Sequence, residues 1–166
     1  MTTTDLRDKH AHSTSGTERY GALAGFLLLV VGGGLVIGLL NVPGPWYEAL
    51  QKPSFNPPNW IFGPVWTTLY VMIAIAGWRV WRIDASSTAM KLWWVQLALN
   101  FLWSPVFFSM QSLGFALVVI LPMLASVVAF AVAAWRLDRL ASVLFVPYAA
   151  WVAFATLLNA SLWWLN

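Results

Sequence analysis

The sequence predicts an all-α membrane protein: a five-transmembrane-helix bundle with a long loop between helices 1 and 2. Three observations carry that expectation. Of 166 residues, 60% are hydrophobic and only 9% are charged, whereas soluble domains carry roughly 25% charged residues. Five apolar runs, 20–40, 60–81, 92–111, 113–135 and 142–165, each approach the roughly 20 residues that cross a hydrocarbon core as a helix. The connections between them are short except the first, 41–59, so sequential helices are expected to be antiparallel neighbours in one compact bundle.

Residues 1–19 are rich in Thr, Ser and charge, hold both histidines (His10 and His12) and lack apolar periodicity. They are expected to form a disordered tail ahead of a membrane domain over 20–166. The first run is too long for a signal-peptide core and no small-residue cleavage site follows it, so it is expected to be retained. Its glycines, including Gly21 with Gly25 and Gly34 with Gly38, form small-xxx-small pairs that permit close helix approach, and a homodimer, without requiring one.

The connection after the first run and the start of the second read WYEALQKPSFNPPNWIFGPVWTTLY over 46–70. Lipid has no use for such chemistry. Pro53, Pro57 and Pro58 beside Trp46, Tyr47 and Trp60 are expected to form a lid, and Trp66 and Tyr70 follow one helical turn apart. In the third run Gln96, Asn100 and Ser104 recur every four residues and share one face, with Pro105 expected to kink the helix just before Phe107. That face serves either interhelical hydrogen bonds or ligand contact. In the last run Tyr148, Trp151, Ala155 and Asn159 again share a face, suited either to helix packing around the small Ala155 or to a large flat ligand. Trp93, Trp94, Trp163 and Trp164 lie near the ends of runs and are expected in interfacial belts.

Charge sets orientation and excludes several functions. The tail and the second and fourth connections hold Arg7, Lys9, Arg19, Arg79, Arg82, Lys91, Arg136 and Arg139, and the opposite side holds only Lys52. The N-terminus and the 2–3 and 4–5 loops are therefore expected in the cytoplasm, with the 1–2 loop and C-terminus on the far side. A net charge of +3 is too small to point to nucleic acid, and the basic residues fit a lipid bilayer's headgroups. No ionisable residue falls in the middle of a run, which argues against a proton pump or ion-coupled transporter. With no Cys and both histidines in the tail, neither a catalytic triad nor a metal site is expected inside the membrane. Any site must work with aromatic rings, amides and hydroxyls.

Three motifs then carry a resemblance. WYxxLxKPxxxPPxWxFxxxWxxLY at 46–70, NxxWxPxFF at 100–108 and PYxxWxxFAxxLN at 147–159 resemble the TspO/translocator protein family, the tryptophan-rich sensory proteins. The resemblance covers everything from Tyr20 onward. It implies a five-helix bundle, often dimeric, that needs no cofactor and takes a porphyrin, protoporphyrin IX or haem, as ligand. Tyr47, Trp66, Asn100, Phe107, Trp151 and Ala155 match the family's pocket positions; Tyr70 and Tyr148 join them from the residue pattern. Trp66 and Trp151 match tryptophans implicated in light-dependent porphyrin breakdown in some bacterial members, and Ala155 matches a position where bulk alters affinity. No Lys or Arg follows Arg139, so the sterol-recognition pattern of mitochondrial members is missing from the last helix and sterol binding by that route is not expected. The expected function is porphyrin transport, sequestration or sensing. The alternatives are a light-dependent porphyrin-degrading enzyme using Trp66 and Trp151, and a ligand-regulated sensory or scaffold protein.

Overall fold

The computed structural model describes residues 20–166; the expected disordered tail, with both histidines, lies outside the described residues. Six α-helices and no strand appear among those residues. The first, α1 (Tyr20–Leu40), is interrupted by a π-turn at Leu28–Gly32. A short helix, α2 (Pro45–Ala49), begins with Pro at its first position, where a missing N–H costs nothing. A 3-10 turn at Asn59–Ile61 leads into α3 (Phe62–Ile83). Then come α4 (Thr88–Ser104), α5 (Leu113–Ala134) and α6 (Arg139–Leu165).

Four helical segments are long and apolar enough to cross a membrane: Tyr20–Leu40, Asn59–Ile83, Leu113–Ala134 and Arg139–Leu165. The third expected run forms α4, which has 17 residues before a π-turn at Pro105–Ser109 prolongs it. Pro105 has no N–H to return to the carbonyl one turn back, and the chain widens by one residue at that place, with the Met110 N–H donating to the Pro105 carbonyl at 2.9 Å. Two residues beyond the turn, Gln111 has a left-handed φ of 52°.

Side-chain oxygens start α4 and α6. Ser87 Oγ accepts from the Met90 N–H at 3.1 Å, and an Asp138 carboxylate oxygen accepts from the Ala141 N–H at 3.0 Å. Asp138 also pairs with Arg79 at 2.9 Å, which fastens the end of α3 to the start of α6. Burial alone would raise the Asp138 pKa, but the Ala141 N–H and the Arg79 guanidinium outweigh it and hold the carboxyl below its usual 3.8.

Two apolar clusters hold the bundle together. The larger contains Trp93, Phe130, Phe145 and Tyr148, each fully buried. Trp93 therefore departs from the expected belt. Its indole lies against Gly77, where a Cβ would come within 2.3 Å of the ring, and its Nε1 donates to the Ile73 carbonyl at 2.9 Å. Trp94, its neighbour, remains half exposed, as do Trp163 and, more so, Trp164. The smaller cluster gathers Phe107, Leu113, Leu158 and Leu162 around Tyr47 of the 41–58 segment.

Candidate ligand cavity

Between the two clusters lies a cavity of about 360 Å³, within the range of small-molecule sites. Its inner wall comes from α4 and α6. Asn100, Trp103, Ser104 and Phe107 descend from one, and Trp151, Ala155 and Asn159 from the other. From α3 come Trp66 and Tyr70, whose rings lie 5.4 Å apart. Tyr47 closes one end, with Phe107 6.1 Å and Phe108 5.6 Å from its ring. Burial raises the Tyr47 hydroxyl above the ordinary tyrosine pKa, only partly offset by its hydrogen bond to Asn56, so this ring is neutral at physiological pH.

Seven of the eight expected ligand residues line this one space: Tyr47, Trp66, Tyr70, Asn100, Phe107, Trp151 and Ala155. Tyr148 does not. It sits one layer behind the wall, fully buried, in a line of hydrogen bonds that starts at the cavity. Tyr70 donates to Asn100 Oδ1 at 3.3 Å, Asn100 Nδ2 donates to the Tyr148 hydroxyl at 2.9 Å, and that hydroxyl donates to Gln96 Oε1 at 2.9 Å. The amide face on α4 thus divides between the two readings open from sequence. Ser104 and Asn100 reach the cavity, and Gln96 bonds only within the bundle.

The expected lid residues Trp46, Pro53, Pro57, Pro58 and Trp60 are not among the lining. Trp46 packs on Phe107 at 6.1 Å, and Trp60 is 74% exposed. The same segment reaches the cavity through Pro43, Tyr47 and Asn59 instead. It is braced within itself by Lys52 and fastened to the rest of the chain through Phe55 and Gln51. Lys52 donates to the carbonyls of Tyr47 and Glu48, Phe55 meets Phe154 at 6.3 Å, and Asn166 exchanges two hydrogen bonds with the Gln51 backbone.

Helix α1 was not expected at the site, yet Gly34, Leu35, Ile37 and Gly38 line it. The sequence signal was present at Gly34. A Cβ there would fall 2.2 Å from the Tyr70 ring, so this glycine lets the wall aromatic lie flush on α1. Met123 of α5 also lines the space.

Most lining polar groups are already engaged. Asn159 accepts from Trp103 Nε1 at 3.3 Å and donates to the Leu113 carbonyl at 3.0 Å. Trp151 differs: its indole Nε1 is buried with no hydrogen-bond partner among the described residues. A donor left so is costly unless something else accepts from it.

Membrane-length helices around an uncharged, aromatic-walled internal space define an integral membrane protein with room for a small molecule. Sequence comparison supplies the family. A profile of the TspO/MBR family matches residues 26–165, and the chain belongs to that family. It is 42% identical over 139 residues to a tryptophan-rich sensory protein of Cereibacter sphaeroides, covering 84% of this chain and 88% of that one. It is 40% identical over 133 residues to Protein CrtK of Rhodobacter capsulatus (78% and 83% covered). With the human translocator protein it shares 41% identity over 123 residues (71% and 73% covered).

Proposed function

We propose that this protein binds a tetrapyrrole, protoporphyrin IX or haem, in the aromatic cavity and serves its transport, sequestration or sensing. One observation carries the reading: a cavity of about 360 Å³, walled by Trp66, Tyr70, Phe107 and Trp151 and free of charged side chains, holds an unpartnered indole donor. Flat macrocycles are held by ring stacking and apolar burial, and Trp151 Nε1 offers a hydrogen bond to an oxygen at the ligand's edge. Met123 and the tyrosines are the lining side chains of kinds that ligate haem iron; metal-free porphyrin asks for none. In this reading α4 and its π-turn form the fifth crossing, the tail side faces the cytoplasm, and the exposed Gly21 and Gly25 of α1 permit a homodimer. Titrating the reconstituted protein with protoporphyrin IX should quench tryptophan fluorescence saturably. Quenching that never saturates, or that is unchanged by the Trp66→Phe/Trp151→Phe double substitution, counts against this cavity.

A second reading, light-dependent porphyrin degradation, draws support from the convergence of Trp66 and Trp151 on one space. Illumination with bound protoporphyrin and absorption spectroscopy separates the two. Bleaching no faster than that of free porphyrin in detergent removes the enzymatic reading.

A further inference from the structure

The cavity wall is unequal. No lining residue from α4, α5 or α6 is exposed. Every exposed one comes from the outer half of α1 (Leu35, Gly38, Leu39), the adjoining Pro43, or the start of the next span (Asn59, Gly63, Thr67). The opening therefore runs lengthwise between α1 and α3. Leu35 and Leu39 are 50% and 75% exposed, whereas Tyr47, which the 41–58 segment sets against the end of the cavity, is 4% exposed. Nothing lies within 4 Å of a Cβ built on Gly38 or Gly63, which makes both positions open rim.

Apart from Asn59 at its outer end, the rim is also apolar. The Thr67 hydroxyl donates to the Gly63 carbonyl at 2.9 Å, so this opening offers methyls, methylenes and glycine Cα atoms. Thr67 lies eight residues into the span that begins at Asn59, or about 12 Å along a helix, well inside the hydrocarbon layer. Helix α1 is the least embedded of the four long spans, with 11% of its apolar window buried against 28–33% for the others. Its outer end is tied by Ser109 Oγ donating to Asn41 Oδ1. On the other side, the 41–58 segment is fastened to α6 by Phe55 against Phe154 and to the end of the chain by the Asn166 pair, and Lys52 braces it internally.

We infer that ligand reaches the cavity sideways from the acyl-chain layer, through the slot between Leu35–Leu39 of α1 and Gly63–Thr67 of α3, while the 41–58 segment stays closed. The site thereby selects molecules already dissolved in the membrane. The inference rests on the tetrapyrrole reading for its ligand, not for its geometry.

The chain has no Cys, which gives a clean background for the test. Protein in phosphatidylcholine vesicles is mixed with vesicles preloaded with protoporphyrin IX, and the rate of tryptophan quenching is followed. A plug of the slot, Gly38→Leu with Gly63→Leu, is expected to slow uptake about tenfold and, on chase with empty vesicles, release by a similar factor, since a blocked route slows arrival and departure alike. A disulfide lock of the 41–58 segment, Gln51→Cys with Asn166→Cys, is expected to leave the rate unchanged. An unaffected rate in the plugged protein, or a slowed one in the locked protein, overturns the inference. A second measurement needs no porphyrin. A nitroxide attached after Thr67→Cys should be relaxed by oxygen and shielded from an aqueous nickel chelate; the reverse pattern overturns the slot. If the unmodified protein shows no saturable quenching, the tetrapyrrole reading fails and the nitroxide result still decides the route.

Discussion

At the residue scale, Trp151 and Ala155 make the sharpest claims. Removing the unpartnered indole donor by Trp151→Phe keeps most of the ring area and should weaken protoporphyrin binding about three- to tenfold, the effect of one hydrogen bond worth roughly 1 kcal/mol; a fluorescence titration reads it. Ala155→Leu places three more carbons into the cavity and should reduce affinity by more than about tenfold through steric exclusion, with helix content by circular dichroism unchanged. Spacing made most of this site legible, because the i, i+3 and i+4 rule fixes which residues share a helix face. It does not fix depth. Tyr148 shares a face with Trp151 and Ala155, yet sits behind the wall because the amides of Asn100 and Gln96 hold it there. Likewise Trp93 and Trp94 are adjacent, identical side chains. Trp93 lies on the α4 face that also carries the buried Gln96, Leu97 and Asn100, and the notch left by Gly77 on a neighbouring helix gives its indole room there, whereas Trp94 points away from the bundle.

At the scale of elements, the same notch is testable. Gly77→Ala would put a methyl where the Trp93 indole lies, and overpacking of this kind costs about 1–3 kcal/mol; a lowered midpoint in thermal unfolding in detergent is expected. Asp138 makes a second claim, at the joint between α3 and α6. Its folded pKa lies below the ordinary 3.8, so its stabilising contribution is complete above that value and is lost as pH falls through the folded one. Asp138→Asn keeps an acceptor for the α6 cap but removes the charge opposite Arg79, and should flatten the fall in thermal stability on acidification below about pH 4. Helix existence was legible because four apolar runs are long and uninterrupted. Less so were the inserts. The helix at Pro45–Ala49 and the π-turn in α1 leave no hydrophobic period, and the one sequence mark of the π-turn in α4 was Pro105.

At the scale of the whole molecule, the bundle is built unevenly, with a tight inner set of helices and a loosely attached outer one. The resemblance in three motifs located the inner walls, which come from the motif-bearing α3, α4 and α6. It did not reveal the contribution of α1, whose lining residues are glycines and aliphatics that composition cannot tell from lipid-facing ones. This unevenness has a consequence for biosynthesis. The span in α1 has a mean hydropathy of 2.6 and shares little surface with its neighbours, so it can partition from the translocon alone, as soon as it is made. Helix α4 cannot settle the same way. Its Gln96 and Asn100 are bonded to Tyr148, which the ribosome adds about fifty residues later, and a lone amide in hydrocarbon is costly. The middle of the chain should therefore wait for its end. In a stepwise series of arrested nascent chains, α1 is expected to become lipid-crosslinkable at once, whereas α4 should stay next to the insertion machinery until α6 emerges; stable release of α4 before residue 148 is synthesised would contradict this order.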